Sequence, residues 1–564
     1  MNKLTKKAFS SMEENKLQGI LLTLMLLILV ILIAAPSAAL FIKAFTDADG
    51  TFVALHNFKV YFEGTALKNS LANSLFVSVA SSAASVLLGF IYAYGISRTN
   101  MRAKNFFKYT ATLPLLAPSM LYSIALIYLF GNKGIFTQLG IDIKLYGAVG
   151  IIISEIVFAF PQAFLILSVG LSMVDYRLYE AAEVLGTSNT KKFFKITLPS
   201  IKYPLISSIF VTFIMCFTDF GAPKILGGNY NVLATDIYKQ IIGQFNINLG
   251  AAVSIIMLLP AVMVFIVDRL ISKKQSATIT SKSRNYTAKD SKARDNVFLV
   301  LCTIIAAVIF LLIFTAAAGS FIKIWPYNPE LTLKHYKFRG LMNSGWDSYL
   351  NSIKIAFLTS VGGTIFTFSN AYFIEKFKKL SWVRNSAYFL SVAIQALPGL
   401  VIGIAYIVFF NDPNNPMRFL YNTVWIIVMA NIIHFYSVAF ITSTSALKLL
   451  DPEYEVVAKS LKVPFYRLYL KVTVPMSIKA ILEVAMYFFV NSMVTVSALI
   501  FLYTPKTQTA SVSILKLSES GDGGSAAAMA VLVLITNIVI SIIYETICKR
   551  ILNKTQKWKA VKAA

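Results

Sequence analysis

The chain has 564 residues, of which 57% are hydrophobic and 14% charged, and its mean hydropathy is +0.68. Soluble domains carry about 25% charged residues, so a water-soluble globule is excluded and most of the chain belongs in lipid. The formal charge of +26 would suit nucleic acid as a partner, but Lys and Arg concentrate in alternate connections between apolar stretches, which marks a cytoplasmic face instead, with attraction to anionic lipid as a secondary effect.

Twelve stretches are long and apolar enough to cross a bilayer as helices. They run 20–42, 71–95, 108–131, 148–171, 203–221 and 250–271, then 297–322, 350–374, 386–410, 422–446, 478–502 and 526–548. The fold class expected is an all-α integral membrane protein, multi-pass, with both termini cytoplasmic. Lysines before the first stretch and Ala34-Ala35-Pro36-Ser37-Ala38 at its end imitate a cleavable signal. Its internal counterpart at 297–322 cannot be removed that way, so an uncleaved anchor is expected. Cys216, Cys302 and Cys548 fall in or at the ends of spans and read as packing residues, not as a disulfide framework or a metal site.

Spans four and five are joined by Glu180-Ala181-Ala182-Glu183-Val184-Leu185-Gly186, nine further residues, and Ile196-Thr197-Leu198-Pro199. A short helix with Ala181 and Ala182 lets another protein's backbone approach. Gly186 supplies a turn that a Cβ would resist, and Pro199 restarts a helix where no N–H is needed. Span five ends in Thr218-Asp219-Phe220-Gly221-Ala222-Pro223-Lys224. A charge facing lipid is unfavourable by ~2.5–3.5 kcal/mol at full depth, so Asp219 either lines a pathway, caps the span or meets Lys224. Glu155, near the outer end of span four, reads as a buried pair or a local cap.

Residues 272–296, rich in Ser, Thr, Lys and Arg, read as a flexible cytoplasmic linker. They separate a first half, 1–271, from a second, 297–564, and the halves repeat. Asn73-Ser74 recurs as Asn351-Ser352, Ala93-Tyr94 as Ala371-Tyr372, Pro118 as Pro398 and Pro199 as Pro475, at offsets of 276 to 280. Six spans per half is an even number, so the repeats are parallel and a pathway is expected where they meet. In the second half His434 and Asn431 read as an internal polar contact, without the further ligands a metal site needs. A second connecting loop, 455–475, carries Glu455, Ala458 and Lys462; Val456 and Val457 replace Glu180 and Ala181, and Lys462 stands where Gly186 stands. That requires a different turn or a left-handed Lys. Thr495, Val496 and Ser497 take the places of Asp219, Phe220 and Gly221, which puts a carboxylate on one half and hydroxyls on the other.

The string from Glu180 to Pro199 resembles the EAA loop of the permeases of type I, binding-protein-dependent ABC importers. The fused layout and the run from Thr218 to Tyr238 are similar to permeases assigned to ferric iron or 2-aminoethylphosphonate. The resemblance implies that Glu180, Ala181, Ala182, Gly186, Glu455, Ala458 and Lys462 dock a cytoplasmic ABC ATPase in two copies. It also implies an extracytoplasmic solute-binding protein and a bacterial plasma membrane location, while the superposed repeat itself points to a pathway near Asp219, Phe220, Thr495 and Ser497. The run 227–240 leans toward 2-aminoethylphosphonate, with ferric iron, thiamine, a polyamine or sulfate as alternatives. Gly186-Thr187-Ser188-Asn189-Thr190-Lys191 begins like a phosphate-binding loop but lacks its second Gly and Gly-Lys-Ser/Thr. The chain is therefore not expected to be an enzyme or to bind a cofactor, and ATP belongs to the partner subunit. The competing reading is a carrier driven by an ion gradient, which the absence of a buried chain of carboxylates disfavours.

Overall fold

A computed structural model describes residues 2–276, 286–288, 290–338 and 345–555. Among these, nine helices are long and apolar enough to span a membrane, and three further spans are bent pairs. The pairs are Asn189–Ser200 with Lys202–Thr218 at 63°, Ser381–Ala396 with Gly399–Phe410 at 115°, and Phe465–Met476 with Ile478–Val494 at 77°. The twelve apolar stretches thus correspond to helices, with three corrections to their shape, one being that 478–502 is helical only to Val494. Stretches 108–131 and 386–410 are not continuous: Pro118 and Pro398 are extended and start new helices at Ser119 and Gly399. Proline locks its own φ and pushes the residue before it out of the helical region, so a helix ends there. Among the described residues the β-structure is a small antiparallel hairpin, Ile322–Ile324 with Asn328–Leu331, and an isolated bridge between Thr46 and Phe52.

The described chain forms two compact units. One holds residues 1–43, 347–510 and 535–564; the other holds 44–346 and 511–534. These units and the sequence repeat are different divisions of the chain: the first span packs in the unit of the second repeat, and helix Lys292–Phe321 packs in the unit of the first. Residues 277–285 of the expected flexible linker lie outside the described residues, as do 556–564 of the C-terminus.

Lipid is as apolar as Leu, so helices in a bilayer associate through small residues and hydrogen bonds across the seam. Helix Thr65–Arg98 follows that rule, with Ser74, Ser78, Ser81, Ser85 and Gly89 all on one face and the serines buried. Ser85 donates to Ile156 O at 3.2 Å, and Ser82 donates to Ile209 O at 2.9 Å. The second repeat keeps the latter bond, from Ser360 to Ala485 O at 2.7 Å. The Asn-Ser landmarks are explained in the same way. Asn73 Nδ2 donates to Asn231 O and Ser74 Oγ accepts from Leu233 N; Asn351 Nδ2 donates to Lys506 O and Ser352 Oγ accepts from Ala510 N. In each repeat the pair ties down the loop that follows the fifth span.

Candidate coupling loops and polar clusters

The first loop folds as helix Arg177–Val184, closed by Gly186 at φ +64°. Thr187 N donates to Ala182 O and Gly186 N to Glu183 O, both at 2.9 Å, a left-handed cap that satisfies the last carbonyls. The second loop forms helix Glu453–Ser460 with the same cap: Val463 N donates to Ala458 O, and Lys462 is left-handed at φ +55°. The turn is conserved although the glycine is not, so Lys462 carries a strain that Gly186 does not.

The two faces of these helices differ. Glu180, Ala181, Val184 and Leu185 are exposed on the first loop, and Val456, Val457 and Leu461 on the second. Ala182 and Ala458 are buried, so their small side chains let the helix approach its own unit rather than a partner. Glu455 also faces inward. Its carboxylate pairs with Lys376 Nζ at 2.6 Å, and by the repeat offset it occupies the place of Tyr179, not of Glu180. Tyr179 is buried and its hydroxyl bonds Thr197 Oγ1 at 2.7 Å. After each of these loop helices the backbone widens to a π-helix, Phe193–Thr197 and Tyr469–Thr473, just before the repeated prolines.

Asp219 lies at the break after helix Lys202–Thr218 and does two jobs at once. It accepts from Ala222 N at 2.9 Å, capping helix Gly221–Leu226, and from Ser119 Oγ at 3.2 Å, at the start of helix Ser119–Phe130. Two broken helices therefore meet at one carboxylate. Glu155 is fully buried beside it, near Cys216, with neither of its oxygens bonded to a donor in the described structure. Glu155 is buried as expected, but among the described residues neither a cation partner nor a cap is found for it; Lys224, the partner open to Asp219, instead pairs with Glu519 at 2.7 Å. Phe220 is fully buried against Tyr238.

The second repeat builds a neutral counterpart within its own unit. Asn431, at the place of Glu155, donates to Ser492, at the place of Cys216, at 2.7 Å. Thr495 is buried at the place of Asp219. Among the described residues no hydrogen bond joins His434 to Asn431 as expected; His434 lies against Gly399 and Phe435. A Cβ on Gly221 would come within 2.7 Å of Ser119 Oγ, and one on Gly399 within 2.4 Å of Ser497 Oγ. The serine and the glycine have exchanged sides between repeats, Ser119 with Gly221 in one and Gly399 with Ser497 in the other. One member of each crossing must be glycine for the segments to approach. This reciprocity was visible in the sequence only after Pro118 and Pro398 had been aligned. Among the described residues no group of three His, Cys, Asp or Glu side chains is disposed to hold a metal ion.

The profile of a family described as binding-protein-dependent transport system inner membrane component matches residues 85–277 and 363–553. The chain is 27% identical to the ferric transport system permease protein FbpB of Actinobacillus pleuropneumoniae, covering 94% of this chain and 78% of that protein. It is 28% identical to a putative ferric transport system permease protein FbpB 1 of Haemophilus influenzae, covering 88% and 80%. Over 30% of its length it is 30% identical to a spermidine/putrescine transport system permease protein PotC homolog of Mycoplasma genitalium, covering 58% of that protein.

Proposed function

Because the chain belongs to the family of binding-protein-dependent transport system inner membrane components, with the family domain present twice, we propose that it is the translocating subunit of an ATP-driven importer of ferric iron. The reading as an ABC importer permease replaces the ion-gradient carrier. The leaning toward 2-aminoethylphosphonate finds no support among these relatives, whereas those that span most of the chain are named for ferric or Fe(3+) transport.

The observation that carries the iron reading is the meeting of Glu155, Asp219 and Ser119 at a pair of helix breaks. Membrane transporters place solute sites where helices are interrupted, and hard carboxylate oxygens suit a hard cation. Released iron is the substrate here, passed over oxygen groups and not retained. The exposed faces of helices Arg177–Val184 and Glu453–Ser460 would each seat one ATPase subunit, which binds and hydrolyses the ATP. A solute-binding protein would deliver iron at the outer face of the bacterial plasma membrane, with both termini in the cytoplasm.

Iron uptake into proteoliposomes tests the proposal. Asp219→Asn keeps an oxygen for the Ala222 cap and removes the charge; Glu155→Gln is its match. Each should lower ferric iron uptake on the order of tenfold with ATPase co-purification unchanged. Parent-level iron uptake by the double variant would refute the site. Uptake of 2-aminoethylphosphonate but not iron by the parent protein would refute the substrate.

A further inference from the structure

Arg98 ends the second span and is 2% exposed. A buried guanidinium must be paired or otherwise compensated, yet among the described residues only one of its nitrogens has a hydrogen bond, from Nη2 to Leu171 O at 2.9 Å; Nε and Nη1 have none there. The compensation is aromatic. The guanidinium carbon lies 4.0 Å from the centre of the Tyr286 ring and 5.3 Å from that of Tyr179. Tyr286 also meets Tyr179 edge-on at 5.0 Å and Tyr176 at 5.4 Å. Tyr179 belongs to the first coupling helix, whereas Tyr286 belongs to the connection between the repeats.

Described residues that follow Tyr286 are held as well. Asn100 Nδ2 donates to Ala288 O at 3.0 Å and to Asp290 Oδ1 at 2.6 Å, and Asn100 N donates to Asp295 Oδ1 at 3.1 Å. Burial holds the Tyr286 phenol above its usual range, so the ring meets Arg98 as a neutral π face. The second repeat has no need of such a segment. There Lys376 stands for Arg98 and Glu455 for Tyr179, and the two close the same gap as an ion pair at 2.6 Å.

We propose that Tyr286 is a positioning residue for coupling: the connection between the repeats latches the first coupling helix through Arg98, whereas the second helix is latched by its own ion pair. The proposal rests on the reading of helix Arg177–Val184 as an ATPase dock. A helix that receives the movement of an ATPase must be joined stiffly to the spans it moves. Arg98 makes that joint by touching the end of the second span, the end of the fourth and the coupling helix together. Tyr286 closes the open side of the cation.

The experiment uses the full-length permease with its ATPase and solute-binding protein in proteoliposomes, reading ATP hydrolysed per ferric ion imported. Tyr286→Leu keeps an apolar contact and removes the π face, and it should raise that ratio about fivefold; Tyr286→Phe should stay within about twofold of the parent. Transplanting the other repeat's solution, Arg98→Lys with Tyr179→Glu, should make Tyr286→Leu silent. A merely structural role for Tyr286 would not be relieved by that exchange. An unchanged ratio in Tyr286→Leu, where Gly186→Val does change it, overturns the latch alone. Unchanged ratios in both overturn the docking reading beneath it.

Discussion

Gly186→Val should uncouple ATP hydrolysis from solute entry while leaving the permease in the membrane. At φ +64° a valine is held in a left-handed conformation that disfavours a Cβ by roughly 1–2 kcal/mol, and β-branching adds to this. A Cβ placed there meets nothing within 4 Å, so the damage is to the turn and not to packing. A shift of that size displaces the cap roughly 5- to 30-fold, and the exposed Val184 and Leu185 would lose their set direction. The second loop supplies the control. Lys462 already occupies the left-handed region, so Lys462→Gly relieves strain and should leave transport at or above the parent rate. Transport and ATPase co-purification in the two variants measure the effect. Parent-like transport by Gly186→Val would show that the turn is not needed. Equal losses in matched variants of the loops would show that they dock equally.

The second large effect is expected where helices Ala148–Ser172 and Lys202–Thr218 cross. A Cβ on Gly170 would sit 2.6 Å from both Cβ and Cγ of Pro204, inside any permitted contact. Proline is rigid and Pro204 is itself buried in the first turn of its helix, so the two helices must move apart to admit Gly170→Ala. Overpacking of this kind costs about 1–3 kcal/mol. In the second repeat the same positions are Ala446 and Ala480, so the volume is divided evenly there. Gly170→Ala should therefore lower the temperature at which detergent-solubilised permease aggregates, and Pro204→Ala should restore much of the loss. The cycle gives a coupling of about 1–2 kcal/mol if the contact is direct. Additive effects would place the strain elsewhere.

Features set by short-range chemistry could be read from the sequence. Gly186 announced a left-handed turn because few other residues accept one, and the Asn-Ser landmarks kept their register because each closes the same loop. Lys462 was readable as a dilemma, and the backbone resolves it in favour of strain. The partners of inward-facing groups could not be read. Glu455 looks like a displaced Glu180 until Lys376 is seen beside it, because nothing in a linear pattern says which face of a short helix touches its own protein. Hydropathy likewise gave 108–131 as one span, since a proline break between two apolar helices leaves the average unchanged. Arg98 offered no signal at all: at a span end it reads as one more cytoplasmic charge, and its aromatic cage is assembled from Tyr179 and Tyr286, which belong to two separate later segments of the chain.

The division of the chain into its two units has a consequence for biogenesis. The first span is seated among residues 347–510, and all of 44–346 leaves the ribosome between them. The first span must therefore wait in the bilayer, without the helices it packs against, through the synthesis of the entire first repeat. The other unit is no more independent, because residues 511–534 complete it from near the end of the chain. Neither unit can close on the products of early translation, and a transcript cut between the repeats would yield two incomplete pieces. Fusion of the halves into one polypeptide guarantees that each waiting segment finds its seat in the same molecule, at a local concentration no pair of separate chains could match.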